Sequence, residues 1–400
     1  LDLLFISNQP PYPLHNFDRE LLFHLANELT LRHYVIDLAC FYDQPEALAD
    51  VPRYQHLFRN VELIRLPKIP PSDIKKRFQK AEQPKEAVQA WSPAMWQTVQ
   101  HWVSERRYIA AQLMGSWEVD DYQPLLRLLP QLLVLPQAQA LRANDLAAHS
   151  HDKSQQRHWQ QEADQAQMVE ARLAQHFPTI AVFEQRHADA LGQLAPQAPP
   201  VRMPFGVDME YYVPTGHDPR LPTLLFTANF ENPIELQAAL RLAQDIFPVV
   251  KRAIPHSLLY IIGSHPPAHL RQLASESVII MGYVPDLRPY FELATAYISP
   301  LEQPIGNPRA LLKAAAMMTP LICSPAALQD LEFQHEQEAL IAESDDEFIR
   351  AAIRLLREDQ TRLRLQLNSR DKVQALYAWE QVTSQFEEVY QQLTQGQHHL

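Results

Sequence analysis

Residues 304–320, PIGNPRALLKAAAMMTP, have the rhythm of a small-molecule site: a glycine, a short turn, then a helix of small residues closed by proline. Glycine at such a turn lets backbone approach an anion, because a Cβ there would collide with the ligand. Yet Lys313 stands within that helix, and alanines occupy 310 and 314–316. Other chemistry-bearing groupings are few. His149, His151 and His158 border a long polar stretch, but they lack the two-on-one-face spacing of a helical zinc motif and have no cysteine nearby, so no metal is predicted. Neither a Walker loop nor a G-x-G-x-x-G fingerprint occurs.

The elements that position these residues must come from 400 residues, more than one hydrophobic core usually organises, so two domains are expected. The composition, 46% hydrophobic and 20% charged, is that of a folded soluble protein, and mean hydropathy is −0.28. No run approaches the roughly 18 apolar residues of a spanning helix. The opening LDLLFIS reads as a buried first strand and not as a secretion signal. Net charge of −12 disfavours nonspecific attraction to nucleic acid or anionic lipid. Cys40 and Cys323 each follow an apolar run and read as buried thiols in a reducing, cytoplasmic compartment. The chain has 8 glycines and 33 prolines, against roughly 28 and 20 from average usage. Few places are left for glycine-lined phosphate loops.

Apolar periodicity predicts strands at LLFIS, YVIDLACF, VELIRLP, YIAAQLMGS, PQLLVLPQAQA and TIAVFEQ, with a helix over FDRELLFHLANELTLR and another over 150–175. From 71 to 108 the pattern is helical, with SDIKKRFQK basic and AWSPAMWQTVQHWV aromatic; a solvated helix followed by a core helix is favoured over an amphipathic membrane-surface patch. The proline-rich 195–222 is the best domain junction. Beyond it TLLFTAN, SLLYIIGS, VIIMGYV, AYISPL and PLICSP alternate with helices, and a run of helices ends the chain. Both halves therefore read as doubly wound α/β domains.

RMPFGVDMEYYVP, SLLYIIGSHPPAHLRQLA, VIIMGYVPDLRPYFELATAYISPLE, TPLICSPAALQDL and YAWEQV, in that order and spacing, resemble the family 4 retaining glycosyltransferases of the GT-B fold. The likeness is nearest to sugar transferases of exopolysaccharide and PEP-CTERM systems, whose N-terminal PYP turn is similar to PPYPLHNFDRELLFHL here. The resemblance implies two Rossmann-like domains facing across a cleft: 1–200 on the acceptor side, 201–376 on the nucleotide-sugar side, with 377–400 crossing back. It implies a nucleotide-sugar donor and a glycan or lipid-linked acceptor. It implies no metal or other cofactor, the leaving diphosphate being stabilised by side chains and a helix dipole.

The same resemblance locates the donor positions and shows them altered. A basic residue three before a glutamate is the family pattern, for the diphosphate and the ribose hydroxyls; this chain places Ala310 and Lys313 there. An ammonium has donors only and cannot accept from a hydroxyl. Arg309, one residue away, is rotated by about 100° on a helix. Ala228 and Asn229 stand where the donor domain's first strand generally ends in glycine, and Phe17 stands where a glycine near the first helix lets the sugar approach. Gly206, Gly263, Gly282 and Gly306 survive, and positive φ at turns and strand ends accounts for them without a ligand. No acid or imidazole occurs in LLVLPQAQALRA, and no catalytic residue is assigned. Two readings follow. One is a non-catalytic relative, a pseudoenzyme that binds a protein partner through the aromatic 91–102 stretch or the glutamine-rich tail; the other is an active retaining transferase, with peripheral membrane contact at a lipid-linked acceptor. Fold alone does not decide between them.

Overall fold

The computed structural model describes residues 1–68, 84–150, 152–216, 221–306 and 308–396. The basic stretch 72–80 lies outside the described residues. The chain divides into two compact units: Leu1–Asn144 with Arg157–Pro204 and Trp379–Leu400, and Asp145–Gln156 with Phe205–Ala378.

The first unit holds a parallel seven-stranded sheet ordered β3-β2-β1-β4-β5-β6-β7. Its strands are β1 (Asp2–Ser7), β2 (Val35–Tyr42), β3 (Asn60–Arg65), β4 (Ala110–Met114), β5 (Gln131–Leu135), β6 (Ile180–Val182) and β7 (Val201–Arg202). The central strands are buried on both faces, which explains why they read as continuous apolar runs and not as alternations. Helix α1 (Phe17–Leu31) starts where Asn16 caps the Arg19 N–H at 3.0 Å. Helix α2 (Pro93–Glu105) starts at the Ser92 cap and buries Met95, Trp96, Val99 and Trp102. Trp91, Trp96 and Trp102 belong to the core, as the favoured core-helix reading expects, and the alternative of an exposed aromatic partner surface is not met. Then come α3 (Gln139–His149), α4 (Lys153–His176) and α5 (Gln185–Leu194).

The second unit holds a parallel six-stranded sheet ordered β10-β9-β8-β11-β12-β13. It comprises β8 (Thr223–Asn229), β9 (Leu258–Ser264), β10 (Val278–Met281), β11 (Ala296–Ser299), β12 (Leu321–Cys323) and β13 (Ala339–Ile341). Helices α6 (Pro233–Arg241) and α7 (Phe247–Ala253) are joined by a π turn at Leu242–Ile246, where Pro248 lacks the N–H that would continue the regular ladder. They are followed by α8 (Arg288–Leu293), α9 (Arg309–Ala316), α10 (Asp345–Arg357) and α11 (Asp359–Leu376). The run after PLICSP is not all helix, because β13 pairs with β12 in register Ile322↔Leu340. Likewise the proline-rich connection contains β7, tolerated there because an edge strand presents only one face of its ladder.

The last helix, α12 (Trp379–Gly396), belongs to the first unit. Arg32 at the end of α1 donates to Ser384 Oγ at 3.0 Å and pairs with Glu387, while Trp379 stacks on His24 with ring centroids 5.0 Å apart. Cys40 and Cys323 are free and fully buried, and burial pushes both thiols well above their ordinary range. No helix among the described residues is long and apolar enough to cross a membrane.

Candidate functional site

Open parallel sheets bind ligands beyond the carboxyl ends of their strands, at the point where strand order reverses. In the second unit that point lies between β8 and β11, so the ends of β8 and β11 and the start of α9 line it. Ala228 and Asn229 end β8. Asn229 N–H donates to Glu235 Oε1 at 3.2 Å, and its side-chain oxygen accepts from Glu231 N–H at 3.2 Å. Asn232 caps Ile234 N–H at 3.0 Å. The start of α6, whose backbone donors and dipole would attract a phosphate, already holds the Glu235 carboxylate in its first turn. Sequence reasoning missed this, although an acid two residues after Pro233 was there to be read.

Gly263 sits opposite Ala228 in the β8–β9 ladder, and a Cβ on it would lie 1.9 Å from the Ala228 carbonyl oxygen. Its φ is not positive. Close approach of two backbones, and not the turn conformation expected from the sequence, requires glycine here. Gly282 has neither a positive φ nor a neighbour within 4 Å of a built Cβ, so the expectation fails there as well. Gly306 does carry φ of +70°, as its place before α9 demands.

On α9, Leu311, Leu312 and Ala314–Ala316 are buried, while Arg309, Ala310 and Lys313 are half-buried on the other side. The Lys313 ammonium stands over the Tyr212 ring, 5.4 Å from its centroid. Arg370 donates to Tyr212 O at 3.3 Å and to Ala316 O, placing a cation at the carbonyl end of α9. Two further arginines are engaged by carboxylates. Arg241 meets Asp345 at 2.7 Å and Glu302 at 3.5 Å, and it donates to Pro300 O at 3.2 Å. Arg288 grips Asp286 through Nε and Nη2, at 3.0 and 2.8 Å, and lies 3.9 Å from the Tyr211 centroid; the Arg288 hydrogen bonds draw the Asp286 carboxyl below its usual range. The Gly206–Asp208 turn leads into this cluster: Val207 bridges to Ala378, and Asp208 Oδ1 accepts from Glu210 and Tyr211 N–H at 3.0 and 2.9 Å.

In the first unit the reversal falls between β1 and β4. Phe17 opens α1, but its ring turns into the core, 2% exposed and edge-on to Phe183 at 4.8 Å. What lies beyond the strand ends is a hydrogen-bonded polar set. Gln9 donates to Asp18 Oδ2 at 3.0 Å and accepts from Asn16 and Arg19 at 3.1 and 3.0 Å; Gln137, after β5, donates to Asp18 Oδ1 at 3.3 Å. Glu118 accepts from Ser116 N–H at 3.1 Å, and burial pushes its carboxyl up, with Asp18 adding in the same direction. Amides and carboxylates converging in this way suit hydroxyl-rich molecules. None of these residues stood out in the sequence, because they come from three separate loops. Among the described residues no group of three or more His, Cys, Asp or Glu side chains could hold a metal ion.

Residues 221–358 match the family model for glycosyl transferases group 1. No curated protein matches the chain. Among solved structures it is similar to a sucrose-phosphate synthase from Thermosynechococcus elongatus, at 17% identity and TM-score 0.71, covering 99% of both chains. It is also similar to Anabaena Alr3699/HepE in complex with UDP and glucose, at 12% identity and TM-score 0.65, covering 98% of this chain and 99% of that one. A third is S. aureus TarM with Fondaparinux, alpha-GlcNAc-glycerol and UDP, at 7% identity and TM-score 0.64, covering 98% and 100%. At such identities the likeness shows the fold, GT-B.

Proposed function

We propose that this chain is a glycosyltransferase-like protein of the family 4 type whose nucleotide-sugar site is degenerate, acting as a binding or structural relative in the cytoplasm, in an exopolysaccharide setting. What carries it is α9: by the resemblance, Ala310 and Lys313 stand where the family places its cation and its carboxylate, and the structure holds Lys313 over Tyr212. Two further features support it. Glu235 occupies the anion-attracting end of α6, and Arg241 and Arg288 are engaged by carboxylates. A diphosphate brought to these strand ends would meet acids, or cations already engaged. Losing one charged hydrogen bond to a bound hydroxyl costs about 1.5–3 kcal/mol, or roughly one to two decades of affinity. The polar set around Asp18 is the acceptor-side surface in this reading, suited to a glycan or a lipid-linked sugar. The buried free thiols fit a reducing compartment.

Calorimetric titration with UDP-, GDP- and ADP-sugars tests it. No heat of binding at millimolar ligand is expected. Micromolar binding with sugar transfer would overturn the proposal in favour of an active retaining transferase.

A further inference from the structure

Glu170 on α4 is 6% exposed and lies beside the start of α3: its Oε1 accepts from Ala140 N–H at 3.2 Å, and the Gln139 N–H also points to it. From α5 comes His187, 1% exposed, whose Nε2 stands 3.8 Å from the same oxygen and makes no hydrogen bond. Arg172 and His176 of α4 are turned to Asp120, each at 2.7 Å, and Arg142 of α3 reaches Gln137. The contacts that set the proton affinity of Glu170 are thus backbone amides in a dry surrounding, with no cation among them. A bare carboxylate is costly there, and so is an unpaired ring nitrogen.

We propose that Glu170 is carried as a neutral carboxylic acid that donates its proton to His187 Nε2 while its carbonyl oxygen accepts from α3, making a proton-dependent latch on the β5–α3 turn. A rotation of the carboxyl turns its O–H toward the imidazole and gives the unpartnered Nε2 a donor. The turn it fastens, Pro136–Ala138, carries Gln137 to its hydrogen bond with Asp18. The latch therefore governs how firmly one wall of the polar set is held, whether or not the functional reading above is correct.

Burial pushes Glu170 up to about 7, against the amides that pull it down, and burial lowers His187 to about 4, so the imidazole is neutral when the acid is protonated. The sign follows from linkage. Through Glu170 alone, the closed form holds its proton to about 7 while an opened, hydrated carboxyl releases it near its ordinary 4.5, so opening becomes easier as pH rises from 4.5 to 7 and levels off above; His187 acts in the opposite sense, because an opened imidazole regains its ordinary 6.5 and opening becomes easier as pH falls from 6.5 toward 4. Hydrogen exchange of the full chain, followed in peptides covering residues 137–144 and corrected for intrinsic pH dependence, reads this directly. The Glu170 part is therefore read as the ratio of opening in the unaltered chain to opening in Glu170→Gln, in which the His187 part cancels, and that ratio is expected to rise on the order of fiftyfold between pH 5 and 8. His187→Gln, which has no titration of its own and can still accept from the acid, should show that rise directly. A ratio flat with pH overturns the latch, as does a His187→Gln chain whose opening does not rise with pH, and either variant suffices if the other fails to fold.

Discussion

The proposed reading holds that α9 lacks the cation and carboxylate of the family pattern, and Ala310→Lys together with Lys313→Glu tests it by supplying both. Both positions are half-buried and one turn apart, so the new side chains lie on one face. Removing the Lys313 ammonium from above Tyr212 forfeits about 0.5–1 kcal/mol of cation–π attraction. A carboxylate in the last turn of α9 adds an unfavourable dipole contribution of about 0.3–1 kcal/mol. The double variant should therefore lose about 1–2 kcal/mol of stability, visible in calorimetry as a Tm of the second unit lowered by about 2–6 °C. If the proposed reading holds, it gains a cation for a diphosphate and an acceptor for ribose hydroxyls, each such charged hydrogen bond worth about 1.5–3 kcal/mol. UDP affinity should rise by about 10- to 100-fold or more, measured by titration calorimetry beside the unaltered chain. A folded double variant that still shows no heat at millimolar UDP would refute the reasoning that places the deficit on α9. Glu235 at the α6 start would then be the obstruction to test.

Other consequences can be checked separately. Gly263→Ala forces β8 and β9 apart at Ala228, where the contact would be 1.9 Å, and should destabilise the second unit by about 2–4 kcal/mol in urea unfolding; a loss below about 0.5 kcal/mol would contradict the close approach. Asp37 is fully buried; burial raises its carboxyl, but hydrogen bonds from Arg59, Asn60, Tyr108 and Arg106 outweigh that and hold it at about 2, against an ordinary 3.8. Its contribution, on the order of 2 kcal/mol, is present above pH 3.8 and is lost as pH falls toward 2, so Asp37→Asn should flatten the acid limb of stability while destabilising at neutral pH by about 3 kcal/mol. Arg370→Ala removes the cation at the end of α9 and should cost about 1–2 kcal/mol in thermal unfolding, where an unchanged Tm would show that the helix end is satisfied without it.

Long buried strands and periodic helices are legible in this sequence because each carries its signal locally: LLFIS, YVIDLACF and SLLYIIGS are apolar runs of strand length between turn residues. Two strands escape. Val201–Arg202 is two residues among prolines, and Ala339–Ile341 is three residues with one neighbour strand, too short for any period to show. The proposed departures of α9 from the family pattern rest on one segment and so can be read from sequence. What surrounds them cannot: Tyr212 beneath Lys313, or Glu170 against both Ala140 and His187, are pairings made by the fold between segments with no common pattern. The glycines mark a third kind of limit. Gly263 and Gly306 look alike in sequence, yet one is needed for a carbonyl pressed against it and the other for its own φ.

The membership of α12 in the first unit bears on how the molecule can be cut and how it is made. Phe386 and Tyr390 of α12 are buried in that unit, and Tyr390 donates to Gln112 on β4. A fragment ending near Pro204 would leave α1 without this partner, so excising the first unit requires splicing 379–396 back on, or supplying it as a peptide. On the ribosome the same arrangement delays completion: α1 must wait until the whole second unit has emerged before its cover is synthesised. Meanwhile its apolar flank is a surface for chaperones to shield.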